Sequence, residues 1–208
     1  MKGKFITFEG IDGCGKSTQA SLLNKRLLSH GILTNLMREP GGTLIGEKIR
    51  TILLDNRNTD MSPHTELFLY LAARAQITSS LILPALTRGE TVIMDRFLDS
   101  TTAYQGFARG LGFDETRSLN MIATSGLMPD ITFIVDCIPS TAFSRLMSKH
   151  DRLESEGVSF MEKVRDGFLK IADFDKDRVI IVDGSQDIKT VENNIYDIIK
   201  DRGFFNLL

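Results

Sequence analysis

The sequence predicts an α/β fold: a five-stranded, mainly parallel sheet with helices on both faces. Two observations carry this. Five short apolar runs alternate with longer segments at helical spacing, and no repeat or low-complexity tract breaks the alternation. Strands joined by helical crossovers form parallel sheets, which gather ligands beyond the carboxyl ends of their strands. Size agrees: 208 residues, 42% hydrophobic and 25% charged, suit one compact domain spanning 1–208.

The elements follow in order. Residues 5–8 read as the first buried strand, and Leu22, Leu23, Leu27 and Leu28 mark the helix after it. A second strand covers 33–37, and Thr43 can cap the next helix. Ser62 before Pro63 is a strong helix start, and that helix should run to about residue 83, where Pro84 interrupts it. Strands at 91–94, 131–135 and 179–182 complete the sheet. The stretch 148–157, with Lys149, His150, Asp151, Arg152, Glu154 and Glu156, has little to bury and is expected to be a mobile surface segment. It falls within a short lid expected at about 145–157.

Lysine plus arginine total 25 against 27 acids, a net charge of -2, so no basic excess points to nucleic acid. Cys14 and Cys137 make no disulfide framework, which fits a reducing compartment. The N-terminus runs straight into strand-like sequence without a signal peptide, and no apolar run is read as approaching bilayer length. A cytoplasmic protein without a membrane or nucleic-acid partner is expected. His30, His64 and His150 sit in unrelated contexts and support neither a metal site nor a triad.

Gly10-Ile11-Asp12-Gly13-Cys14-Gly15-Lys16-Ser17 fits G-x-x-x-x-G-K-[ST], after a strand and before a helix. Glycines let backbone N–H groups turn inward while the helix N-terminus faces phosphates. Lys16 supplies a cation for the terminal phosphates, and the Ser17 hydroxyl is a natural Mg²⁺ ligand. Cys14 reads as a small residue filling a tight loop. A guanine-reading Asn-Lys-x-Asp is absent, and the third strand ends in Asp95-Arg96-Phe97-Leu98 rather than Asp-x-x-Gly. A phosphotransferase is favoured over a GTPase-like switch.

Arg38-Glu39-Pro40-Gly41-Gly42-Thr43 closes the second strand and delivers Arg38 to the ligand edge, with Arg50 two turns into the next helix. Alone, Arg50 would read as part of a solvated helix face. Arg38 together with Arg96 reads as a phosphate clamp, because guanidinium forks match phosphate oxygens. Tyr70 and Arg74 share a helix face, an aromatic plane beside a planar donor that suits a flat heterocycle. A surface cation–π pair has the same spacing, and the two other ligand signals favour the pocket. Asp95 can hold a magnesium water shell or position an acceptor oxygen, and Arg96 can bridge phosphates. Ser100, Thr101, Tyr104 and Gln105 follow as a polar cluster unusual for a core helix.

With these motifs assembled, the chain resembles the thymidylate kinases over nearly its whole length. The resemblance rests on residues 8–18 and 38–43, on Ala73-Arg74-Ala75-Gln76, on 95–100 and 103–106, and on 129–133 and Asp151-Arg152-Leu153-Glu154. It implies a P-loop NTPase fold and transfer of the ATP γ-phosphoryl to dTMP with Mg²⁺, a step toward dTTP, in a homodimer. The ATP set would be Gly10, Ile11, Asp12, Gly13, Cys14, Gly15, Lys16, Ser17 and Thr18, with Arg145. Arg74 would bond the thymine carbonyl, Tyr70 would stack where the family more often has Phe, and Thr101 and Gln105 would contact the base. Tyr104 would crowd the sugar, while Arg38, Arg50 and Arg96 would hold the dTMP phosphate. Asp12, Glu39 and Asp95 would lie near metal and acceptor phosphate, with Ser17 and Asp95 as the metal pair. The catalytic group would be Lys16, Asp95 and Arg96 with a lid residue. Some members carry a catalytic arginine in the P-loop and others in the lid. Residues 11–15 hold no base, so the resemblance implies the lid variety, with Arg152 first and Lys149 second. The alternatives are a related kinase for another nucleotide or nucleoside, and a nucleotide-gated binding protein. The latter leaves the arginine clamp and the flat-ring pocket without a use.

Overall fold

The computed structural model describes residues 3–145 and 152–205. The strands are β1 (Phe5–Glu9), β2 (Thr34–Arg38), β3 (Thr91–Asp95), β4 (Ile131–Asp136) and β5 (Val179–Asp183). They form one sheet in the order β2-β3-β1-β4-β5, with every pair parallel. Phe5 lies opposite Val92, and Ile6 opposite both Ile93 and Ile131. All five residues of β1 are buried, so both faces of the sheet centre are covered, as a parallel sheet requires. Each strand ends on a charged residue: Glu9, Arg38, Asp95, Asp136 and Asp183. The apolar run thus stops where the sheet meets the ligand edge, one residue beyond the expected strand ends.

The helices are α1 (Lys16–Ser29), α2 (Leu44–Leu54), α3 (Pro63–Ile77), α4 (Leu83–Thr87), α5 (Leu98–Thr101), α6 (Phe113–Ala123), α7 (Pro139–Arg145), α8 (Val158–Phe174) and α9 (Ile188–Asp201). Ala20, Leu23 and Leu27 of α1 join Val191, Ile195 and Ile199 of α9 in one buried cluster with the sheet. Phe160, Val164, Phe168 and Ile171 bring α8 into the same cluster. Each such side chain contributes about 1.5–3 kcal/mol by leaving water. The two expected caps form: Thr43 Oγ1 accepts from the Gly46 N–H at 2.9 Å, and Ser62 Oγ from the Thr65 N–H at 3.2 Å.

Two expectations need correction. Pro84 does not stop the helix. A π turn over Thr78–Ile82 resets the hydrogen-bond register, and Pro84 then falls in the first turn of α4, where its missing N–H has no partner to lose. The resulting run Pro63–Thr87 is also long and apolar enough, by length and composition alone, to cross a membrane. It packs here against α2, α6 and α5, with Glu66 and Arg74 buried and ion-paired, as a core helix does. Of the polar stretch 148–157, the described part is mixed: Leu153 is buried, Ser155 and Glu156 are exposed, and Glu154–Glu156 form a short 3₁₀ turn.

Candidate active site

The loop from β1 to α1 needs its glycines. Gly15 caps α1 at φ 101°, and Gly13 sits at φ 82° with the Ala142 carbonyl 2.1 Å from where a Cβ would lie. The loop borders a cavity of about 990 Å³ lined by Gly13, Cys14, Gly15, Lys16, Ser17, Thr18 and Arg145, and by 184–189 after β5. Arg145 Nη1 donates to the Gly184 carbonyl at 2.9 Å, fixing the guanidinium across from the loop. Lys16 is 5% exposed and donates to the Ile11 carbonyl and to Asp12 Oδ1. Burial pushes the Cys14 thiol pKa up, as suits a packed loop residue.

A second, narrower cleft opens beside it, lined by Asp12, Glu39, Pro40, Arg50, Leu54, Tyr70, Arg96, Ser100, Thr101, Tyr104, Gln105 and Leu153. Asp12 therefore faces this cleft rather than the first. Arg96 leaves β3 at φ 70°, a conformation unusual for a residue with a Cβ, and this aims its guanidinium back across the strand ends. Nη1 donates to Ser100 Oγ at 2.9 Å, and Nη2 to Asp12 Oδ1 at 2.7 Å and Tyr104 Oη at 3.2 Å. Burial would raise the Asp12 pKa, but Arg96 and Lys16 overcome it and hold the carboxyl well below the usual range. Behind Ser100, the buried Glu9 accepts from the Phe97 N–H and the Ser100 hydroxyl. Burial and the nearby Asp99 raise the Glu9 pKa to about 8.

Several expected residues take other positions. Arg38 donates to both oxygens of Glu47 and shares the Pro40 carbonyl with Arg50, but it lines a neighbouring cavity with Ser17 and Asp95 rather than the second cleft. The clamp facing the second cleft is Arg50 with Arg96. Arg74 is 1% exposed and lies beneath the cleft. Its Nε and Nη2 bond Glu39 Oε2, Nη1 bonds Thr101 Oγ1 and Asn120 Oδ1, and Nη2 also bonds the Phe97 carbonyl. All five guanidinium donors are thereby engaged, leaving none for a base. Arg152 Nε bonds the Leu53 carbonyl at 2.8 Å, and Nη2 lies 2.6 Å from Glu66 Oε2. A buried carboxylate holds it, and Arg152 lines neither of the two clefts but a separate cavity with Arg109 and Glu156. Lys149 lies outside the described residues.

Asp95 Oδ1 is buried without a hydrogen-bond partner, in the cavity it shares with Ser17. A carboxylate and a hydroxyl suit a hard divalent cation. Among the described residues no three His, Cys, Asp or Glu side chains come together to hold a metal. These two oxygens would suit a Mg²⁺ whose remaining positions phosphates and water would fill. Glu9, Glu66, Arg109 and Asn120 also organise the site but escaped the sequence reading. Glu66 had a usable signal: it lies four residues before Tyr70 and eight before Arg74, on the same helix face.

Two clefts linked by one carboxylate, which lines the second and pairs the lysine of the first, lie at the carboxyl edge of a parallel sheet and suit transfer between two bound molecules. The class is that of a P-loop phosphotransferase. The family model for thymidylate kinase matches residues 8–195. The chain is 48% identical over 202 residues to a thymidylate kinase of Caldanaerobacter subterraneus subsp. tengcongensis, covering 97% of each chain. It is 47% identical over 201 residues to one from Thermoanaerobacter sp. (strain X514), covering 96% of this chain and 98% of the relative. The crystal structure of thymidylate kinase from Ehrlichia chaffeensis superposes with a TM-score of 0.79 at 34% identity, covering 96% of this chain and 99% of that one. The chain belongs to the thymidylate kinase family.

Proposed function

We propose that the protein transfers the γ-phosphoryl of ATP to the 5′-phosphate of dTMP, giving ADP and dTDP. The observation that carries this is the link between the two clefts: Asp12 faces the second, and its Oδ1 binds both Lys16, which lines the first, and Arg96, which lines the second. The first cleft takes ATP, with its phosphates on the 13–18 backbone N–H groups, Lys16 against the terminal phosphates and Arg145 beside the nucleoside. The second takes dTMP, with its phosphate toward Arg50 and Arg96 and its base against Tyr70. An acceptor phosphate oxygen attacks the γ-phosphorus as the bond to the β–γ bridging oxygen breaks, and Lys16 and Arg96 stabilise the spread charge. Ser17 and Asp95 would hold Mg²⁺, which neutralises ATP phosphate charge. Lys149 belongs to the proposed lid over 145–157.

Thr101 reads the base in place of Arg74. Its Oγ1 accepts from Arg74 Nη1 at 2.6 Å, which leaves the O–H to donate to a ring carbonyl. Tyr104, pinned between Arg96 and Asp12, stands against the sugar. We also place the protein in the cytoplasm and infer a homodimer. Leu44, Ile45 and Ile52 of α2, Phe68 of α3 and Met121 and Ile122 of α6 are exposed on neighbouring helices, an apolar face that a second copy would cover. A coupled ADP-release assay with ATP and dTMP tests the reaction, and light scattering on the purified protein tests the dimer. ADP release that does not depend on dTMP would refute the reaction, and a monomer mass would refute the dimer.

A further inference from the structure

Glu66 is 1% exposed, yet it is surrounded by donors. Gln105 Nε2 bonds its Oε1 at 2.8 Å, and Arg109 reaches it through Nε at 3.2 Å and Nη2 at 3.2 Å. Arg152 Nη2 lies 2.6 Å from Oε2. Arg109 also binds Glu156 Oε1 at 2.6 Å and lies 4.7 Å from the Phe160 ring centroid. Two arginines thus meet two carboxylates, and the node joins α3, the π turn Thr102–Ala108 and the segment from 152 to 156.

We propose that Glu66 is the positioning residue of the acceptor-base pocket: it turns the Gln105 amide nitrogen away, leaves the Gln105 carbonyl oxygen for a ring N3–H, and docks Arg109 and Arg152 at the same point. An ionised carboxylate can only accept, so whatever bonds it must be the nitrogen end of the amide. Burial would raise the Glu66 pKa, but Gln105, Arg109 and Arg152 reverse that and hold it low, so the group stays an acceptor at neutral pH. With Thr101 donating and Gln105 accepting, the pocket matches the O4 and N3–H of a keto pyrimidine. A cytosine ring offers an amine and a bare N3 at these places, and both would be mispaired. The inference deepens the dTMP reading and rests on it.

The test is Glu66→Gln, assayed with dTMP and dCMP as acceptors. A glutamine at 66 can donate as well as accept, so Gln105 is free to flip. KM for dTMP should rise roughly tenfold and the dTMP-over-dCMP ratio of kcat/KM should fall by a similar factor, with KM for ATP unchanged. The exchange Glu66→Gln with Gln105→Glu keeps one carboxylate in the node and restores an acceptor facing the base. It should recover most of the ratio, which a purely structural role would not predict. An unchanged ratio in the single variant, or a folded double variant that does not discriminate, would overturn the proposal. Should the single variant fail to fold, the double variant alone decides. Wild-type protein inactive on dTMP would instead refute the function itself.

Discussion

Lys16 and Arg96 donate to the same atom, Asp12 Oδ1, at 3.0 and 2.7 Å. Lys16 opens α1 and Arg96 directly follows β3, so one carboxylate ties the cation of one cleft to that of the other. The Arg96 end is braced by Ser100, which bonds the fully buried Glu9. Both cations are therefore held in place by the protein's own groups, the condition under which electrostatic stabilisation of the proposed transfer is most effective.

Lys16→Ala should leave the fold intact and lower kcat about 10²–10³-fold, because the lysine acts on phosphate charge and Arg96 still pairs Asp12. Thermal unfolding beside steady-state turnover checks this. Near-normal turnover in the folded variant would remove the loop as the ATP cradle.

Arg74→Ala should cost stability as well as dTMP affinity. Glu39 would stay buried opposite no cation, a loss of about 3–5 kcal/mol. Burial already raises the Glu39 pKa even with Arg74 beside it. Unfolding in urea and KM for dTMP should both move. A weaker dTMP KM at unchanged stability would mean that Arg74 is a direct base reader.

Arg152→Ala separates two roles by kinetics. Arg152 is docked on Glu66 and the Leu53 carbonyl, beside the node proposed to position the base pocket. Its loss should raise KM for dTMP severalfold with a smaller effect on kcat. A fall in kcat of about 10²-fold at constant KM would show that it reaches the transferring phosphoryl instead.

Glu9 predicts a pH dependence. Unfolded, the carboxyl titrates near 4.5; folded, near 8, raised by burial and by Asp99. The folded state therefore holds the proton across that window. The stability this contributes is complete below about 4.5 and is lost as pH rises through about 8. Tm measured across that range should fall, and Glu9→Gln should flatten the decline, since its amide can bond as the neutral acid does. A parallel decline in both proteins would remove Glu9 as its source.

What the sequence disclosed was local. The glycine loop, the Thr43 and Ser62 caps and the charged strand ends depend on neighbours a few residues away, so their spacing shows them. Arg145 also lies beside the loop it was expected to serve. What stayed hidden depends on distant partners. Arg74 is occupied by Glu39 and Asn120, 35 and 46 residues away. Arg152 is held by Glu66 and Leu53 from across the fold. Arg38 is drawn aside by Glu47 on α2, a pairing that a motif of strand-end arginines does not reveal. Pro84 needed knowledge of the π turn before it, for which the sequence carries no period.

The proposed acceptor of this site is a keto-pyrimidine deoxynucleotide. The most direct test is kcat/KM for dTMP, dUMP, dCMP and AMP, measured by ADP release with ATP and Mg²⁺. dTMP should rank first, dUMP should be reduced but active because it keeps O4 and N3–H, and dCMP and AMP should be lower by at least about 10²-fold. Turnover of dCMP or AMP equal to that of dTMP would contradict it.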